Sequence, residues 1–166
     1  MKNLNQEQLK LILHYNPDTG VFTYLKKNTR NNIGDIAGKN NKRYPSIYID
    51  GKNYLVHRLA FLYMNGEWPK KEIDHINRVK SDNRWANLRE CTHAENQMNV
   101  GITSRNKSGY KGIIYRAYCD CWQAIISVNK KRISLGFFKN KEDAINAYES
   151  SAKKYHHEFY YQLQPT

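Results

Sequence analysis

One break constrains this chain more than any other feature. Residues 101–110 (GITSRNKSGY) are mostly Gly, Ser, Thr, Asn and basic residues without apolar periodicity, and they read as a linker. They leave one piece at 1–100 and another at 111–166. Neither piece is long enough for a doubly wound enzyme or a (β/α)₈ barrel. With 40% hydrophobic residues and a mean hydropathy of −0.85, each supports a small core and little more. No internal repeat or long low-complexity tract is present.

Local patterns fill in both pieces. Leu9, Ile12 and Leu13 fall at helical spacing and predict a helix over 5–15, ended by Pro17 and the Asp18-Thr19-Gly20 turn. Val21–Tyr24 reads as a short strand, and 26–43 as a long polar loop. Residues 45–50 alternate, Asp50-Gly51 signals a hairpin, and 54–56 is the return strand. An amphipathic helix follows over 57–65, closed by Gly66 and Pro69. After 72–76 and a loop rich in Asn, Asp and Arg, Asn87-Leu88-Arg89 reads as a short strand. Thr92-His93-Ala94-Glu95 has the T-x-x-E spacing that starts a helix. Beyond the linker come strands at 111–118, 121–128 and 132–138, then a helix over 141–157. Alternation turns Trp122, Ala124, Ile126 and Val128 to one face, toward Ala144, Ala147, Tyr148 and Ala152. The expected class is α+β.

Charge narrows the partner. The formal net charge is +12, and the segments 1–50, 51–100 and 101–166 carry +4, +2 and +6. An excess of Lys and Arg beside 13 Tyr suits a polyanion, nucleic acid before others. No run of 18 apolar residues occurs, so no membrane span is expected. The segment MKNLNQEQLK has no apolar h-region, so no secretory signal is expected. Three Cys, an odd number, argue against a disulfide framework and for a reducing compartment. Cys119-x-Cys121 lacks zinc-knuckle spacing, and no zinc site is assigned.

Chemistry concentrates in the middle. Asp74 and His75 are adjacent, and on extended backbone adjacent side chains point to opposite sides. One can hold a metal while the other faces a substrate. Asn96, in the first turns of the helix capped at Thr92, offers an amide oxygen. A carboxylate plus an amide oxygen suits a hard cation such as Mg²⁺, which takes few protein ligands. Taken singly these residues have plainer readings: a surface turn for Asp74-His75, turn residues for Asn83 and Asn87, a solvated helix position for Asn96. His14, His93, His156 and His157 read as structural or surface residues, and His57 as a phosphate contact or a helix N-terminal core residue.

Together, and in order, His57-Arg58-Leu59, Ile73-Asp74-His75-Ile76-Asn77, Asp82-Asn83-Arg84, Asn87-Leu88-Arg89 and Asn96-Gln97-Met98-Asn99 resemble an HNH (ββα-metal) endonuclease, with phage and intron-borne homing endonucleases as nearest kin. The resemblance covers roughly 10–100, with a ββα-metal core at about 72–100. It implies Asp74 and Asn96 as metal ligands (Asn99 being the alternative), His75 as general base, and Asn87 as the brace that orients it. It implies Mg²⁺, with Mn²⁺ plausible, and a 5′-phosphate and 3′-hydroxyl as products. His57, Arg58, Arg84 and Arg89 are the expected DNA contacts of this part.

Ser108–Ile113, Trp122-Gln123-Ala124, Leu135–Phe138 and Ala144–Tyr148 resemble the APETALA-two/ethylene-response-factor DNA-binding domain over about 106–160. That implies a three-stranded antiparallel sheet packed on one helix and laid in the major groove. Lys111, Arg116, Gln123 and Arg132 are the expected contacts; Arg suits guanine and Gln adenine. The domains expected are therefore 1–100, a linker at 101–110, and 111–166. The function expected is DNA cleavage by a monomer or homodimer acting on duplex DNA, in the cytoplasm of a bacterial host and encoded by a phage or mobile element. The rivals are a DNA-binding regulator with an inactive HNH domain, and an RNA-directed or non-specific nuclease.

Overall fold

The computed structural model describes residues 4–38, 44–102, 106–128, 131–156 and 159. Parts of the expected loop (39–43) and linker (103–105), the side chains of His156 and His157, and the chain beyond 159 lie outside the described residues. The chain divides into two compact units, Met1–Cys91 and Thr92–Thr166.

In the first unit, α1 (Gln6–Ile12) opens on a capping box. Asn5 Oδ1 accepts from the Gln8 N–H at 2.9 Å, and Gln8 Oε1 accepts from the Asn5 N–H at 3.2 Å. The helix stops at Ile12 rather than running to 15. Leu13–Asn16 is instead the strand β1, with Leu13 and Tyr15 buried and His14 and Asn16 exposed. Pro17 holds Asn16 extended, and the Asn16 side chain accepts from the N–H groups of Asp18 and Thr19. The result is a hairpin onto β2 (Val21–Tyr24). A two-residue strand, β3 (Ile36–Ala37), pairs with β2 inside the stretch read as loop, too short to show alternation.

The Asp50-Gly51 hairpin is as expected. It joins β4 (Ser46–Ile49) to β5 (Lys52–Leu55), with φ of 46° and 84° at its two turn residues. Next, α2 (Val56–Asn65) ends on the left-handed Gly66. β6 (Glu72–His75) and β7 (Leu88–Cys91) pair antiparallel, with Asp74 opposite Arg89 and His75 opposite Leu88. Leu9, Leu13, Tyr15, Phe22, Ile47, Leu59 and Leu62 form the centre of the core.

In the second unit, α3 (His93–Asn99) carries the Thr92/Glu95 capping box. β8 (Ile113–Arg116), β9 (Cys121–Val128) and β10 (Lys131–Phe138) form an antiparallel sheet in the order β10-β9-β8, and α4 (Lys141–His156) follows. Ala124 and Ile126 pack with Ala144, Tyr148 and Ala152, and Trp122 and Val128 flank them. Ala147 is only half-buried, because Ala144, Tyr148 and Ala152 alone keep the four-residue spacing that faces the sheet. The chain approaches α4 closely at Gly112 (φ 75°), where a Cβ would lie 2.3 Å from the Tyr148 ring.

The cysteine expectation is corrected in part. A 3₁₀ turn over Ala117–Cys119 and the left-handed Asp120 bring Cys119 and Cys121 to a Cα separation of 5.2 Å, and the two are joined as a disulfide. Cys91 is buried and takes no part in that disulfide. Among the described residues no helix is long and apolar enough to cross a membrane.

Candidate active site

The site is built on the β6–β7 pair and the loop between its strands. At the end of β6, Asp74 and His75 are 6% and 4% exposed. His75 Nε2 lies 3.2 Å from Asn83 Oδ1. The Asn83 amide is itself oriented, since its Nδ2 donates to the Ser81 carbonyl at 3.0 Å. With Oδ1 facing the ring, Nε2 carries the proton and donates, which leaves Nδ1 as the basic nitrogen. Burial holds the His75 pKa below the ordinary histidine value, and the Asn83 bond and the Asp74 charge oppose that shift. His75 is therefore neutral near pH 7, the state a proton acceptor needs.

Asn83 is held from the other end of the unit. The Tyr15 hydroxyl donates to the Asn83 carbonyl at 2.6 Å, and the Trp85 N–H donates to the Pro17 carbonyl at 2.9 Å. Gly20, at φ +72°, packs so tightly that a Cβ would lie 2.4 Å from the Arg84 nitrogen. The β1–β2 hairpin thus grips the segment that presents Asn83. Burial, and then the Asp82 charge, push the Tyr15 pKa up, so the hydroxyl keeps its proton.

Asn87 braces the same loop by a different route. Its Oδ1 accepts from the Asn77 N–H at 2.9 Å, and its Nδ2 donates to the Asp82 carbonyl at 2.8 Å. Asn87 ties the loop, and Asn83 touches the ring. The role expected of Asn87 alone is split between the two. No short motif marks Asn83 as the ring partner; the nearest signal is its place in Asp82-Asn83-Arg84.

His57, at the start of α2, packs edge-to-face on His75 with ring centroids 5.2 Å apart. Tyr44 lies 5.6 Å from His57 and 6.3 Å from His75, and Lys80 sits 4.4 Å above the Tyr44 ring. His57 is buried, and its Nδ1 has no hydrogen-bond partner among the described residues. Burial first, then His75 and Arg58, lower its pKa to about 4.

The basic residues divide by what already holds them. Arg89 Nε and Nη2 donate to Asp74 Oδ2 at 3.0 and 2.8 Å. Arg58 Nη2 donates to the Pro69 carbonyl at 3.3 Å. Arg84 grips Asp82 with two bonds, Nε to Oδ1 at 2.8 Å and Nη2 to Oδ2 at 2.6 Å, and holds its pKa down to about 2, yet Arg84 itself is exposed.

In the second unit, Asn96 is half-buried on α3 and Asn99 is buried. Lys111 Nζ donates to the carbonyls of Gln97, Met98 and Val100 at 3.2, 2.7 and 2.8 Å, satisfying the helix C-terminus. Arg116 Nε donates to Gln123 Oε1 at 2.9 Å, and Gln123 Nε2 donates to Ser134 Oγ at 3.0 Å. Arg132 is exposed on β10.

Among the described residues no three His, Cys, Asp or Glu side chains gather as a metal cage. The buried Asp74 carboxylate is an oxygen donor of the kind a hard cation takes, with waters and phosphate oxygens completing its shell.

Residues 54–98, from β5 through α3, match the family model described as HNH endonuclease. No curated protein and no solved structure matches the chain. The matched segment holds His57, Asp74, His75, Asn83, Asn87 and Asn96. It supports an HNH nuclease, and with it a phosphodiester-cleaving hydrolase of the kind that generally uses divalent metal ions.

Proposed function

We propose that the chain is a metal-dependent DNA endonuclease of the HNH homing type. The observation that carries this reading is the buried His75, its Nε2 against Asn83 Oδ1, next to the Asp74 carboxylate on β6 and inside the matched segment. His75 Nδ1 takes a proton from water, and the water oxygen attacks phosphorus in line. The bond to the 3′ oxygen breaks, giving a 5′-phosphate and a 3′-hydroxyl. Asn87 braces the loop behind the base. Asp74 and Asn96, or Asn99 in its place, are the residues that would hold Mg²⁺ or Mn²⁺. Such an ion supplies positive charge for the scissile phosphate and the leaving oxygen.

The sheet face that carries half-buried Arg116 and Gln123 and exposed Arg132 positions duplex DNA in the manner of an APETALA-two/ethylene-response-factor domain. The +6 charge of residues 101–166 supports that role. Of the first part's arginines, exposed Arg84 is the contact we assign to DNA first. The setting proposed is a bacterial cell carrying the gene on a phage or mobile element.

The test is incubation of labelled duplex DNA with and without Mg²⁺, with unlabelled RNA as competitor. The reading expects cleavage only with Mg²⁺, ends that carry 5′-phosphate, and little competition by RNA. Cleavage that persists in EDTA refutes it. So does RNA competing as well as DNA.

A further inference from the structure

Asp74 is a costly residue to bury. A carboxylate removed from water needs a counter-charge, and here one is built in. Asp74 and Arg89 are register partners across β6 and β7. Their ion pair measures 2.8 Å, with side chains only 7% and 15% exposed. The contact is a charge-assisted double one: Arg89 Nε and Nη2 both donate to Asp74 Oδ2.

Pairing for stability alone does not explain this arrangement, because well-packed apolar residues commonly serve a buried position as well as an ion pair does. The neighbouring acids have other work. Asp82 is taken by Arg84, and Glu90 accepts from the N–H groups of Lys70 and Lys71.

We propose that Arg89 is the resident counter-cation of Asp74: it holds the buried carboxylate in the metal-free protein and competes with the divalent cation for it. The inference rests on Asp74 being a metal ligand, as proposed above. Arg89 is on this account a positioning residue. Its guanidinium keeps the carboxylate in one rotamer before metal arrives, and its charge weakens metal binding.

The full-length chain is titrated with Mn²⁺ alone, without DNA, and free Mn²⁺ is read by electron paramagnetic resonance. Arg89→Gln should bind Mn²⁺ about tenfold more tightly than wild type, a coupling of ordinary size between two linked sites. The same variant should melt at lower temperature in EDTA and recover more on adding Mn²⁺ than wild type does. Affinity equal to or weaker than wild type overturns the inference. So does a melting temperature lowered equally with and without Mn²⁺, because a purely structural ion pair behaves that way.

Asp74→Asn separates this from the underlying reading. If that variant binds Mn²⁺ like wild type, Asp74 is not a ligand and the metal assignment itself fails. Should Arg89→Gln not fold, wild type carries the test. On titration with Mg²⁺ the Arg89 Nε–H resonance should shift while that of Arg84 stays put. An unmoved Arg89 signal overturns the proposal.

Discussion

Acid should destabilise the first unit before its carboxylates titrate, and His57 is the reason. Its pKa falls from 6.5 in a free chain to about 4 in the folded protein. A group whose folded pKa is lowered binds fewer protons folded than unfolded as pH drops between those values, so stability falls with pH. The contribution is complete above pH 6.5 and is lost down to about pH 4. Integrating that window gives a loss of about 2 kcal/mol by pH 5 and about 3 kcal/mol by pH 4. His75 shifts in the same direction and adds to the loss. Asp82, held at about 2, acts below this window. The assay is urea unfolding followed by tryptophan fluorescence, since Trp68 and Trp85 lie in this unit. Wild type is compared with His57→Phe at pH 7, 6, 5 and 4. The variant removes the titrating group while keeping a ring against Tyr44 and His75, so it should lose clearly less stability between pH 7 and 5. Equal losses in both proteins would refute the reasoning.

Other expectations concern the supports of the site. Asn83→Ala leaves the buried His75 N–H without its acceptor and should cost about 1–3 kcal/mol in urea unfolding, together with a large loss of cleavage; unchanged stability would count against the tautomer assignment. Gly20→Ala sets a Cβ against the Arg84 backbone at a positive φ and should cost about 1–3 kcal/mol or more by thermal melting; a neutral effect would mean that the β1–β2 turn does not grip the 83–85 segment. Arg132→Ala should weaken duplex binding and lower the salt slope by about 1; an unchanged slope removes β10 from the DNA face.

Most of the legible structure was local. The Asp50-Gly51 hairpin, the T-x-x-E cap, the alternation of β9 and the four-residue stripe on α4 each depend on residues a few positions apart. Where long-range pairing decided, the sequence was weaker evidence. Leu13 fits the helical stripe of α1 as well as the buried side of β1, and only pairing with β2 chooses the strand. β3 has two residues, too few for any period. The Asp74, His75 and Asn87 cluster was visible as ordered motifs, but not the division of labour around it. Asn83 reaches His75 across eight positions only because Tyr15, 68 residues away, holds its backbone. In the same way the partners of Arg89 and Lys111, a carboxylate across the strand pair and a helix C-terminus, are not legible from residue type alone.

The most direct test of the central claim is cleavage of supercoiled plasmid by wild type and by His75→Ala, in Mg²⁺ and in EDTA, with DNA binding measured alongside. The account predicts Mg²⁺-dependent cutting by wild type: open circles if a monomer nicks, linear product if two active sites pair. It predicts no cutting by His75→Ala at nearly unchanged affinity. Full cleavage by His75→Ala would contradict it.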